Sequence, residues 1–160
     1  MRPARPEAEL LIAGAVADLD LGALRAKAER VGGVDLRAGY VPAETVAGLV
    51  GAARIVVAPY VIANQSGVVH LAQTFGRPVV ATDVGDLGVA VRDGETGLLV
   101  PPSDPAPLAG ALLRLLDDDD LADTLGRAGL EHSRAAASWK SVAERILPIY
   151  ADLISARESG

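Results

Sequence analysis

Cysteine is absent from this 160-residue chain, which excludes disulfides and thiolate metal sites and fits a reducing compartment. Aromatics are nearly as scarce, with one tryptophan, three tyrosines and one phenylalanine, so the core has to be aliphatic and alanine-rich. Basic charge is short as well. Lys and Arg number 15 against 21 Asp and Glu, a formal net charge of -6; a nucleic-acid backbone demands a basic face, so nucleic acid is set aside as a main partner. Long apolar runs are missing too. The amino terminus, MRPARPEAELLIAG, carries early arginines and an apolar stretch too short for a signal peptide or a membrane span. A soluble cytoplasmic protein is the expectation. No internal repeat is visible.

What is present is enough for one compact domain with a sizeable core. Half the residues are hydrophobic and 22% are charged, an ordinary globular balance. Short aliphatic runs alternate with segments of helical period. Glu9 to Ala13 reads as a buried strand, and Leu21 to Val31 as a helix braked by Gly32 and Gly33. Val34 to Val41 alternates like a strand, and Pro42 opens a helix to Ala53. Arg54 to Ala58 is a strand covered on both faces, Gln65 to Phe75 a helix, Pro78 to Thr82 the next strand, and Gly97 to Val100 the last. Asp83 to Arg92 is glycine-rich, with room for one helical turn. Helices follow at Pro105 to Leu116, Leu121 to Ala136 and Trp139 to Leu153, with Asp117 to Asp120 a solvated connection.

Strands alternating with helices predict an α/β fold, a Rossmann-like doubly wound parallel sheet of about five strands. A single domain over residues 1–160 is expected, with its strands and helices in 8–103 and a helical tail in 104–155. Ligands in such sheets sit beyond the carboxyl ends of the strands, where the winding reverses. The corner Asn64-Gln65-Ser66-Gly67 follows the third strand and opens its helix. Its residue types cap a helix start, and they also suit a bound anion. Both readings stand at this level.

Three stretches carry a family resemblance: ARIVVAPY (Ala53 to Tyr60) leading into NQSGVVHLAQTFGRPVVATDVG, then RDGETGLLVPPSDPAPLAGAL (Arg92 to Leu112), then SWKSVAERILPIY (Ser138 to Tyr150). Together they resemble the carboxy-terminal, donor-binding half of GT-B-fold retaining glycosyltransferases of group 1 type. The resemblance implies hexosyl transfer with retention from a nucleotide diphosphate sugar (UDP-, GDP- or ADP-linked), with no resident cofactor and no metal. By the same resemblance Gln65, Ser66, Gly67 and Val68 would hold the diphosphate. Tyr40, Val41, Pro42 and His70 would lie near base or ribose, and Gly85, Asp86 and Leu87 near the donor sugar.

The sequence departs from the family in places. Many members carry glutamates where Ile62 and His70 stand, and an acidic residue after the glycine-rich turn where this chain reads Gly88-Val89. No basic residue matches the family's diphosphate-binding pair. The family's preceding strand and its acceptor-binding half have no counterpart here, so a partner half is implied, and any peripheral membrane association would come through it. With that strand bypassed, the sheet order is expected to be 2-1-3-4-5, the first and third strands pairing directly. A degenerate, non-catalytic module that binds a partner protein is the alternative. In the tail, Trp139, Val142, Ala143, Ile146, Ile149, Tyr150 and Leu153 recur at helical spacing; core packing is the expectation for most of them, with a kink at Pro148.

Overall fold

The computed structural model describes residues 4–16, 20–136 and 139–158. In chain order these form β1 (Leu10–Gly14), α1 (Leu21–Val31), β2 (Val34–Ala38), α2 (Ala43–Ala52), β3 (Val56–Ala58), α3 (Gly67–Thr74), β4 (Val79–Thr82), α4 (Leu87–Ala90) and β5 (Gly97–Val100). Three helices follow, α5 (Pro105–Asp117), α6 (Asp119–Ala136) and α7 (Trp139–Glu158).

Local chemistry sets the helix ends. Asp20 caps α1, its carboxylate accepting from the Ala23 amide at 3.0 Å, and Gly32 stops the helix at a φ of 69°. Asp104 caps α5, where Pro105 occupies the first turn. The four-aspartate run is the exposed connection expected, and a short one. Asp118 alone joins α5 to α6, and its side chain accepts from the Leu121 amide at 2.9 Å. Its neighbours are tied down, Asp117 to Arg5 and Asp119 to Arg54.

All strand pairs are parallel, but the sheet is in two pieces. β1 pairs with β2, Leu10 opposite Val34, and β4 lies between β3 and β5, with Val79 opposite Val56 and Gly97. Among the described residues no ladder joins β1 to β3. This corrects the expected 2-1-3-4-5 order. The physical reason is visible in the burial. No described residue before Val50 is buried, and Leu10, Leu11 and Ile12 each stay between 37% and 38% exposed. Nothing presses β1 into a shared core beside β3.

The core belongs to the β3-β4-β5 half. β4 is its central strand and is buried along its whole length. Its period-2 alternation sends side chains to both faces. Val79 and Ala81 join Val56, Ala58, Val69 and Leu87 on one side, while Val80 packs with Leu98, Val100, Leu115 and Leu125 on the other. α7 continues as one helix through Pro148. Its apolar residues do not reach the core: Ile146, Ile149, Tyr150 and Leu153 are 42% to 62% exposed. The core packing expected of them is not found; the side chain of Trp139 lies outside what is described.

Candidate functional site

The loops after β3 and β4 emerge at the same end of the parallel sheet, and three contacts lock them together. Thr82, the buried last residue of β4, donates its hydroxyl to the Tyr60 carbonyl at 2.6 Å. The Asp86 amide donates to the Asn64 carbonyl at 2.9 Å. Between them Gly85 turns at a φ of +54°, and a Cβ there would stand 1.9 Å from the Ala63 carbonyl oxygen. Only glycine fits that crossing. The predicted corner and the predicted glycine-rich turn are therefore neighbours.

The corner is a capped helix start. Ser66, the N-cap of α3, accepts from the Val69 amide at 3.3 Å, and its carbonyl takes the His70 amide. Its hydroxyl also meets the Tyr60 hydroxyl at 3.2 Å. The amides of Gly67 and Val68 have no acceptor among the described residues. Such orphan amides make the positive end of a helix dipole, equivalent to about half a charge. A Cβ built at Gly67 meets nothing within 4 Å, and Ile62, which could have plugged this mouth, is 89% exposed. Gln65 and Val68 are exposed beside it, and so are Asp86 and His70, while Leu87 is buried in the core.

Tyr40, Val41 and Pro42 sit elsewhere. They line a cavity of about 180 Å³ with Ala13, residues 37–39, and Thr45 and Leu49 of α2. Tyr40 is 86% exposed at its rim. That volume is below the 300–1,000 Å³ of sites for whole drug-sized ligands. Its one charged side chain, Arg37, is held by Asp35 through two hydrogen bonds of 2.9 and 2.6 Å.

Sequence reasoning missed Tyr60, Thr82 and Arg37. The first two stand where aliphatic strands give way to polar residues at the ligand end of a sheet, a signal that was readable. Among the described residues no cluster of three or more His, Asp or Glu could hold a metal, and no helix is long and apolar enough to cross a membrane. The run Asp93 to Leu98 lies at the opposite end of the sheet. There Asp93 accepts from the Leu99 amide and Thr96 from the Arg92 amide, each at 2.9 Å. That run builds a turn.

Residues 1–118 match the family model described as Glycosyl transferases group 1. The chain is 39% identical over 131 residues to a D-inositol 3-phosphate glycosyltransferase of Corynebacterium efficiens, a match covering 80% of this chain and 31% of that relative. In solved structures it resembles the sucrose-phosphate synthase of Thermosynechococcus elongatus, with a TM-score of 0.81, 30% identity, and coverage of 96% of this chain and 40% of that one. It also resembles Anabaena HepE in complex with UDP-glucose, with a TM-score of 0.79, 17% identity, and coverage of 92% and 42%. The chain thus spans less than half the length of each of these proteins.

Proposed function

The chain belongs to the glycosyl transferases group 1, and from that premise we propose that it is the donor-binding part of an enzyme that transfers a hexosyl group with retention from a nucleotide diphosphate sugar. The observation that carries this reading is the start of α3. Two amides there, those of Gly67 and Val68, have no acceptor among the described residues, a Cβ on Gly67 would meet nothing within 4 Å, and the turn fixed by Gly85 lies beside them. Helix starts of this kind favour a diphosphate, and the favour grows as the leaving group gains charge in the transition state. Gln65, Ser66, Gly67 and Val68 would hold the diphosphate, and Gly85, Asp86 and Leu87 the sugar. The cavity at Tyr40 to Pro42 would take the base, with His70 toward the ribose. The chemistry needs no resident metal or cofactor from these residues.

Affinity is expected to be weak. Residues 59–76 and 78–91, which carry both turns, contain no lysine or arginine. The helix terminus alone contributes about 0.3–1 kcal/mol when exposed and up to about 2 when partly buried. Turnover further requires an acceptor held in line with the sugar, a task for the remaining length that the relatives possess.

Calorimetry with UDP-, GDP- and ADP-sugars tests the reading. One of them is expected to bind, and Gly67→Asp to abolish binding while leaving the fold intact, because the new side chain enters open space. An aspartate in the first helical turn favours the helix but repels an anion. Absence of binding at millimolar ligand overturns the reading. It would favour a non-catalytic partner-binding module instead, for which the exposure of Ile62 and Val89, 89% and 76% at the mouth of the site, is the supporting observation.

A further inference from the structure

We infer that Arg37 reads the edge of the donor's base, and that it selects a base with a carbonyl edge, uracil or guanine, against adenine. The inference rests on the donor-binding reading above and adds the ligand's chemical class. Arg37 is the one charged side chain among the residues lining the cavity beside Tyr40.

Its guanidinium is already oriented. Asp35, two residues earlier on the same face of β2, takes the Nε hydrogen and one from Nη2, at 2.9 and 2.6 Å. A guanidinium has five N–H donors and no acceptor, so three remain uncommitted. Both residues are 54% exposed at the side chain, and the remaining donors are free to meet a ligand. The other polar side chains of the lining are the hydroxyls of Tyr40 and Thr45, which adapt to either partner.

A fixed fork of donors matches an edge of acceptors. Guanine presents O6 and N7 side by side, and arginine meets that edge through two parallel bonds; uracil offers its carbonyl oxygens, each of which accepts one such donor. Adenine places an amino donor in the corresponding position. Donor then faces donor, and one group loses its water without gaining a bond.

The test measures UDP, GDP and ADP binding by ligand-observed NMR on the full chain and on Arg37→Gln, with Asp35→Asn as a second variant and thermal melting as the fold control. UDP or GDP is expected to bind about tenfold or more tighter than ADP, the worth of one unsatisfied polar contact. Arg37→Gln is expected to flatten that ranking, since an amide carries both a donor and an acceptor. Asp35→Asn, which leaves the guanidinium in place but loosens its orientation, is expected to narrow the ranking without removing it. A merely structural Asp35–Arg37 pair would shift the melting temperature and leave the order of the three nucleotides alone. Binding of ADP as tight as that of UDP and GDP overturns the inference while leaving the donor-binding reading standing, and so does an unchanged ranking in Arg37→Gln. Binding of none of the three overturns both.

Discussion

Single atoms decide whether the two site loops keep their places. A methyl group at Gly85 would collide with the Ala63 carbonyl and sit on a backbone of positive φ. Gly85→Ala is therefore expected to lose about 1–3 kcal/mol of stability in urea unfolding. Gly67→Ala, which enters open space, is expected to leave stability unchanged or slightly raised. Tyr60 and Ser66 share two hydroxyl hydrogens across a 3.2 Å contact. One serves the contact and the other is left over for a ligand oxygen. Tyr60→Phe is thus expected to weaken UDP binding about tenfold or more, what one hydrogen bond to a charged group is worth, with little change in melting temperature. Titration calorimetry of the two proteins checks it. The corner at Ser66 and Gly67 was legible in the sequence because small capping residues before an apolar period have few other uses. The partnership of Tyr60 with Ser66 was not, since six residues of loop can fold back in many ways.

Elements were easier to read than contacts, because the signals that start and stop them are local. Asp20, Gly32, Ser66, Asp104 and Pro105 each act within a turn of their own position, and each does in the structure what its residue type favours. Ser66→Ala is expected to cost about 1 kcal/mol through the lost cap on α3, measurable as a shift in urea midpoint. The turn before β5 is a second local unit. Buried Thr96 accepts the Arg92 amide, and a Cβ at Gly97 would stand 2.6 Å from the Val79 carbonyl. Thr96→Val keeps the shape, strands that amide, and is expected to cost about 1–3 kcal/mol. This turn, away from the ligand end, specifies how β5 is laid against β4. Where α7 packs was not legible. Helical spacing shows which residues share a face, and says nothing of what meets that face.

At the scale of the whole molecule the two parts of the sheet differ in their means of support. β4 is buried end to end, with a strand on either side; β1 and β2 carry no buried residue. Hydrogen exchange is expected to separate them, amides of residues 10–14 and 34–38 exchanging well before those of 79–82. Equal protection in both would mean that the parts open together. The strands themselves were readable from composition, but the break between them was not. An aliphatic run such as Leu10 to Ala13 predicts a buried strand whether or not anything lies opposite to cover it. Among the described residues the break also leaves bare backbone along one side of β1 and one side of β3, with Leu10, Leu11 and Ile12 in the former. Bare strand borders recruit other strands, so the purified chain should cloud as it is concentrated. A lysine in place of Leu11 should delay that turbidity more than the same change made on α7, because a helix has no open ladder to extend.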